Sequence, residues 1–203
     1  MQSVWLQEHS HDIGYLAQME RYAMILFLEQ YFMLFMVYNF MGWLFEEIIC
    51  SIGYRQIVNQ GFLIGPYLPV YGCGAMLNLI VLGGVQNTVS IFVLSIILTS
   101  CLEYFTSYLL EKIFHARWWD YSKYHYQLHG RVCLLGALTF GALSVVELKI
   151  VQPILEQYAD TFSTEAVQYS AVIVFLLFLA DILISAFRQY GRGEYRRFPT
   201  EVR

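Results

Sequence analysis

The chain has 203 residues, of which 58% are hydrophobic and only 14% are charged, and its formal net charge at pH 7 is −4. Soluble domains carry about 25% charged residues, so the composition excludes an ordinary water-soluble domain and indicates an integral membrane protein. The negative net charge also argues against a nucleic-acid partner.

The first 30 residues lack the basic start and short apolar core of a cleaved signal peptide. Within them, the stretch "YLAQMERYAMILFLEQ" is amphipathic. We therefore predict an extracytoplasmic N-terminal segment, 1–30, that could form an interfacial helix continuous with the first span.

Five apolar segments approach the length of about 20 residues that a membrane-spanning helix needs. They cover residues 31–53, 67–85, 91–113, 132–151 and 167–187. The sequence thus predicts an all-α polytopic membrane protein with about five transmembrane helices. These helices form a single domain, 31–187, and a basic cytoplasmic tail follows at 188–203.

The basic residues are divided unevenly between the two sides of the membrane. With five spans, Arg21 and Lys149 fall on one side, and the other ten Lys and Arg residues fall on the opposite side. The positive-inside rule then places the N-terminus outside and the C-terminus in the cytoplasm. We expect a multi-pass protein of the plasma membrane.

Acidic residues interrupt the first and third segments. Each ionisable group at membrane depth costs at least about 2.5–3.5 kcal/mol on insertion scales, so it needs a partner or a water-filled cavity. Glu46 and Glu47 lie in the first segment, and Glu103 and Glu111 lie on a broadly shared face of the third, with Ser107 between them. We interpret these residues as a polar seam between the two segments, open to the cytoplasm.

Basic partners for this seam are available on the same side, at Arg55, Arg117 and Arg131. A simpler alternative is that the acids near the segment ends reach the headgroup region, which does not account for Glu103. Asp181 in the fifth segment has only Arg188 nearby, and we expect it to make an intramembrane contact rather than take part in chemistry.

The loop between the third and fourth segments, "HARWWDYSKYHYQLHGR", is dense in aromatic residues. It fits an aromatic belt at the membrane interface. Alternatively, the turn around Asp120 could cap the fourth helix or close a headgroup-sized pocket. His125 and His129 have the i, i+4 spacing of metal ligands, but no third ligand matches them. We therefore expect no metal and no cofactor.

The stretch "FLIGPYLPVYGCG", residues 62–74, raises the question of why a membrane segment contains two prolines. Pro66 could begin a helix, with Pro69 still in its first turn and Gly72 allowing close packing. Alternatively, the backbone is broken where it lines a cavity. Its free N–H groups and Asn59 would then face Glu47 and Glu103, with the backbone shaped by Gly61 and Gly65.

The first and second segments and the third and fourth segments form two similarly oriented hairpins. Each pair has a Glu-x-x-x-Ser pattern, a polar loop with Arg and Gly, and a helix rich in small residues. We predict an internal pseudo-repeat of the kind that transporters contain.

Four runs occur in the order "GWLFEEIICS", "VNQGFLIGPYLPVYGCG", "LEYFTSYLLEKIFHARWWDYS" and "HGRVCLLGAL". Over residues 40–155 the chain resembles the putative ABC-transporter type IV permease family, CmpB-like bacterial membrane proteins. The family typically has Arg where this chain has Gln60 and Ile where it has Val70, so Arg55 or Arg131 would have to supply the missing cation.

The resemblance implies a transporter subunit. The sequence contains no GxxxxGK[ST] phosphate-binding loop, so an ATPase would be a separate chain. The favoured hypothesis is a permease-like transport component. Its alternative is a structural or regulatory subunit among other membrane subunits, and a lipid-headgroup enzyme is less favoured because no nucleophile motif is present. Small-residue faces would also suit a homo-oligomer.

Overall fold

The computed structural model describes the backbone of residues 2–54, 62–115, 117–159 and 161–192, and the side chains of residues 18–52, 62–115, 117–159 and 161–188. The helices are α1 (Gln2–Tyr54), α2 (Pro69–Leu82), α3 (Thr88–Phe114), α4 (Leu134–Val146), α5 (Gln152–Ala159) and α6 (Thr164–Arg192). Two short antiparallel strands, β1 (Gln127–Leu128) and β2 (Val132–Cys133), lie between α3 and α4. The prediction of an all-α polytopic membrane protein is confirmed.

Four helical stretches are long and apolar enough to cross a membrane. They are Gln18–Ile52, Thr88–Phe114, Leu134–Ala159 and Thr164–Arg188. They correspond to the first, third, fourth and fifth predicted segments. The second segment differs, because its helix α2 has only 14 residues. At 1.5 Å per residue it is about 21 Å long, which is less than the roughly 30 Å of a hydrocarbon core.

The shortness of α2 follows from the way it begins. Leu68 is extended, with φ −121° and ψ 100°, and Pro69 occupies the first turn, where its missing N–H costs nothing. Pro66 therefore does not start the helix, and residues 62–68 form a non-helical approach to it. Each interpretation of this stretch is right in part: α2 is a proline-started helix with a closely packed Gly72, but it begins at Pro69 rather than Pro66, and the backbone before it is non-helical.

A π-helical turn, Glu147–Val151, joins α4 to α5 within one continuous apolar stretch. Pro153 follows two residues after the turn ends, and a proline in a helix crowds the carbonyl group four residues before it, here that of Lys149. The wider π turn relieves this crowding. Such single-turn insertions are frequent at functional sites, and this one carries the buried Glu147, which is 8% exposed.

The helices pack mainly as neighbours in the order α6, α1, α2, α3, α4. Aromatic pairs join α1 to α6, for example Phe32 with Phe175, whose ring centroids are 5.6 Å apart. In α4, Gly141 packs so closely on Phe92 of α3 that an added Cβ would crowd the ring. Because α2 packs against both α1 and α3, it stands between the two helices that the sequence placed side by side.

The two hairpins α1–α2 and α3–α4 are both extensively packed pairs. Their pseudo-repeat stays a prediction.

The buried stripe of α3 is polar rather than apolar. Every fourth residue from Ile91 onward is at most 5% exposed, and after Ile91 the stripe is polar, with Ser95, Thr99, Glu103 and Ser107. Large apolar side chains of the same helix, such as Ile97 and Phe105, point outward. Small and polar residues at helix interfaces are typical of membrane bundles, where lipid offers no hydrophobic force between helices.

Candidate functional site

Two cavities lined by described residues lie between the helices of the bundle. The loop-side cavity, of about 330 Å³, is next to the loop between α3 and α4, and its lining includes Glu46, Tyr71, Glu103, Trp119 and Tyr121. The distal cavity, of about 220 Å³, lies farther along α2 and α4, and its lining includes Asn78, Ser144 and Glu147. The two cavities share Val70, Tyr71, Glu103 and Phe140, so Glu103 stands where they meet.

Glu46 of α1 is connected to α2 by a hydrogen bond. The Tyr71 hydroxyl donates to Oε2 of Glu46 at 2.5 Å. Gly42 lies one turn before Glu46, and a Cβ there would overlap the Tyr71 side chain. The missing side chain at Gly42 thus lets Tyr71 reach the carboxylate across the helix interface.

Glu103 is the most deeply buried acid that the sequence singled out, with 4% of its surface exposed. The Tyr121 hydroxyl donates to its Oε1 at 3.1 Å. Its other oxygen, Oε2, has no hydrogen-bond partner among the described residues. Burial raises the pKa of the Tyr121 phenol, and the nearby Glu103 carboxylate raises it further, so this tyrosine remains a protonated donor.

The electrostatic environment of both cavities is one-sided. Among the described residues, no Lys, Arg or His lines either of them. A carboxylate in such a place has no counter-charge among the described lining residues, and it binds a proton or another cation or else bears the cost of burial.

Glu111 belongs to a different, paired cluster at the end of α3. Arg117 donates from Nε to its Oε1 at 3.1 Å, and Arg131 donates from Nη2 to its Oε2. Arg131 also donates from Nη1 to the Ser107 hydroxyl at 3.2 Å and lies over the ring of Tyr108. These four predicted site residues (Ser107, Glu111, Arg117 and Arg131) tie the loop to α3 and do not line the cavities.

The loop covers the loop-side cavity. The Ser122 backbone N–H and hydroxyl both donate to Oδ1 of Asp120, at 2.9 and 2.5 Å, and these bonds hold the pKa of Asp120 below its usual range. Trp119 donates from Nε1 to the carbonyl oxygen of Arg131 at 2.9 Å. The turn therefore closes a pocket rather than capping α4, whose N-cap is Cys133.

Asp181 is the acid that the broken segment faces. It accepts from the backbone N–H groups of Ile64, at 3.0 Å, and Gly65, at 2.7 Å, from the Tyr67 hydroxyl at 2.5 Å and from Ser185 at 2.8 Å. The expectation that the free N–H groups of this stretch point at Glu47 and Glu103 is wrong for these two groups. A buried aspartate needs donors, and a Gly-Pro break supplies them.

Asn39 fixes the start of α2 from the other side. Its side-chain oxygen accepts from the Gly72 N–H at 3.0 Å, and its carbonyl oxygen accepts from Leu68 at 3.2 Å. A Cβ on Gly72 would overlap this amide. The sequence interpretation did not include Asn39, although a fully buried asparagine within a membrane segment is a signal in its own right.

The structure therefore separates the predicted residues into groups. Glu46, Glu103 and Pro69 line the loop-side cavity, and Glu103 lines the distal cavity as well. Glu47 lines neither cavity, and both of its carboxylate oxygens are buried without a hydrogen-bond partner in the described part of the chain. The remaining predicted residues, Arg55, Asn59 and Gly61, lie outside the described residues.

Several cavity residues were not singled out from the sequence. Tyr71, Asn78 and Tyr121 are polar groups in apolar or aromatic surroundings. Glu147 is an acid within the fourth apolar segment, and the cost of an ionisable group at membrane depth, which pointed to Glu103, points to it as well. Across the residues whose side chains are described, no group of three or more His, Cys, Asp or Glu is arranged to hold a metal ion.

Comparison with curated proteins and with solved structures finds no match for this chain. A family model described as "Putative ABC-transporter type IV" matches residues 33–186, which run from the middle of α1 through most of α6 and include both cavities. The match is wider than the resemblance that the four sequence runs predicted, and it names the same family. The chain therefore belongs to the family described as "Putative ABC-transporter type IV".

Proposed function

We propose that this protein is a permease-like transport component in which an acidic seam, open to the cytoplasm, binds a cation or a proton on its way through the bundle. The proposed seam keeps Glu46 and Glu103 of the set predicted from the sequence and leaves out Glu47 and Glu111, which line neither cavity. It adds Tyr71 and Tyr121, whose hydroxyls donate to the two carboxylates. The observation that carries the proposal is the position of Glu103, which is buried at the junction of the two cavities with one carboxylate oxygen unpartnered in the described part of the chain.

The sign of the charge favours a cationic substrate or coupling ion. An anion entering either cavity would meet carboxylates and no basic side chain among the described lining residues. A cation or a proton would instead remove the cost of at least about 2.5–3.5 kcal/mol that an uncompensated ionised acid carries at membrane depth.

The orientation within the membrane is part of the proposal. The loop side carries Lys112, Arg117, Lys123 and Arg131, whereas the first turn of α6 carries Glu165. The positive-inside rule then places the loop side and the 188–203 tail in the cytoplasm and residues 1–30 outside. In this orientation the loop anchored by Arg131 and Asp120 is a cytoplasmic cover over the seam.

A separate ATPase chain is a natural partner, given the family description. We propose that it or another membrane subunit docks on the loop side, where the 117–133 loop is exposed at Tyr126 and Leu128. Docking there would act directly on the cover of the cavity.

The test is a flux measurement on the protein isolated with its co-purifying subunits and reconstituted into vesicles with ATP. Uptake of Na⁺, K⁺ and H⁺ is measured for the wild type, for Glu103→Gln and for Glu165→Gln, a matched control on the exposed first turn of α6. We expect cation flux in the wild type and the control, and a loss of at least about tenfold in Glu103→Gln. Equal flux in all three proteins would contradict the proposal, and normal assembly without any flux would favour the structural or regulatory alternative.

A further inference from the structure

The distal cavity contains a small set of buried oxygen atoms that the proposed seam does not use. Glu147, on the π turn, is 8% exposed, and its Oε1 has no hydrogen-bond partner among the described residues. Asn78 of α2 is 1% exposed, and its Oδ1 is likewise unpartnered. Ser144 of α4 is 3% exposed and lies beside them.

Hydrogen bonding fixes the direction of the Asn78 amide. The Ser144 hydroxyl donates its only hydrogen to the carbonyl oxygen of Phe140 at 2.7 Å. It can therefore only accept from Asn78, whose Nδ2 lies 2.7 Å away. Because the amide nitrogen is directed to Ser144, the Asn78 Oδ1 is an acceptor that the packed core does not satisfy.

Among the described residues, the surroundings offer these acceptors no counter-charge, and the donor beside the Glu147 carboxylate is the Asn78 amide itself. No basic residue lines the distal cavity within the described part of the chain. Lys149 lies two residues beyond Glu147 but is exposed, and its Nζ contacts the carbonyl oxygen of Val85 at 3.5 Å. Tyr38, which does line the cavity, donates its hydroxyl hydrogen to Gln152.

A partner for these oxygens must therefore bring positive charge or hydrogen-bond donors. Hard cations select carboxylate, amide and hydroxyl oxygens, which is the set present here. One carboxylate balances one positive charge, and no group of three or more acidic, His or Cys residues is available among the described residues for a divalent ion. The cavity, of about 220 Å³, can hold such an ion together with water that completes its shell.

We propose that the distal cavity is a binding site for a small monovalent cation, either an alkali-metal ion or ammonium, held by the side-chain oxygens of Glu147 and Asn78. This site goes beyond the transport function proposed above, because a cation would bind there whether or not anything crosses the membrane. The π turn presents the Glu147 carboxylate to the cavity, and α2 presents the amide oxygen opposite Ser144.

Binding is measured by thermal unfolding of the full-length protein in detergent at constant ionic strength. Na⁺, K⁺ or NH₄⁺ is titrated against N-methyl-D-glucamine, a bulky organic cation, at several pH values. A ligand that binds only the folded state raises the unfolding midpoint in a saturable way. We expect such a rise for the wild type with at least one of the three ions, and the ion series distinguishes an alkali-metal ion from ammonium.

Three variants assign the effect to the distal cavity. Glu147→Gln should abolish the cation-dependent rise, and Asn78→Ala should weaken the apparent affinity at least about tenfold, whereas Glu165→Gln, on the exposed first turn of α6, should retain it. Asn78→Ala provides the test if Glu147→Gln does not fold. The proposal is overturned by a wild-type midpoint that is equal in all cations and follows pH alone, which would mean a proton site. A cation-dependent rise that survives in both variants would also overturn it.

Because the readout is binding, a loss of flux without loss of this rise would leave the distal site standing. A normal flux with no cation-dependent rise would reject the site alone.

Discussion

A cysteine at position 106 would report directly on the charge of the loop-side cavity. Thr106 lines that cavity and lies three residues after Glu103 on α3, which places the two Cβ atoms about 5–6 Å apart. At 6 Å, a unit charge interacts with another by about 0.7 kcal/mol at a dielectric constant of 80 and by about 2.8 kcal/mol at 20. An ionised Glu103 should therefore speed reaction with a cationic thiol reagent about 3- to 100-fold and slow an anionic one by a similar factor.

The assay compares a cationic and an anionic methanethiosulfonate on Thr106→Cys in a background without Cys50, Cys73, Cys101 and Cys133. Rates are normalised to those of a free thiol in solution and followed to their plateau at high pH, where the carboxyl group is ionised. Adding Glu103→Gln should lower the cation preference at least about tenfold, whereas adding Glu165→Gln should leave it unchanged. A preference that is absent, or that survives Glu103→Gln, would refute the electrostatic argument.

The other predictions concern the elements that hold the cavities in shape. Asp181→Ala should lower the free energy of unfolding by about 2–6 kcal/mol, because it leaves two backbone N–H groups without an acceptor at about 1–3 kcal/mol each. Asp181→Asn should lower it less. An unchanged free energy of unfolding for Asp181→Ala in detergent would contradict the assigned contacts. Gly72→Ala should lower the free energy of unfolding by about 1–3 kcal/mol, because the added Cβ overlaps Asn39. Gly84→Ala, with no atom within 4 Å of the added Cβ, should change it by no more than about 0.5 kcal/mol. Equal changes in the two variants would contradict the close-packing explanation. Since Ser122 holds the folded-state pKa of Asp120 below its unfolded value, its contribution to stability is present above about pH 4 and is lost as the pH falls through the lower, folded value. Asp120→Asn should therefore flatten the acid side of the stability profile, and an unchanged profile would count against this role.

The fold class could be predicted from composition and segment length because lipid imposes them. A chain with 58% hydrophobic residues must satisfy its backbone within helices, and four of the five predicted segments are long apolar helices. The length of α2 could not be predicted in the same way. Hydropathy does not distinguish a helical residue from an extended one, and the boundary at Pro69 depends on contacts with Asn39 and Asp181 from distant helices.

Of the candidate site, the sequence indicates the buried acid but not the residues around it. Glu103 could be identified because an acid in an apolar helix is costly wherever it points, and the same reasoning applies to Glu147. Its neighbours could not be identified, since Tyr71 and Tyr121 are ordinary interface residues until the packing of α2 and the loop brings their hydroxyls to the carboxylates. Proximity along the sequence was also misleading for Glu47, which is adjacent to Glu46 but lines neither cavity.

The central claim is that the Glu103 carboxylate binds a cation or a proton as it passes between the two cavities. The most direct measurement compares cation flux through Glu103→Asp with flux through Glu103→Gln in the same vesicle preparation, with equal protein inserted. Asp keeps the charge and loses a methylene group, whereas Gln keeps the size and loses the charge. The account predicts at least about tenfold more flux through Glu103→Asp than through Glu103→Gln. Equal flux through the two variants would contradict it.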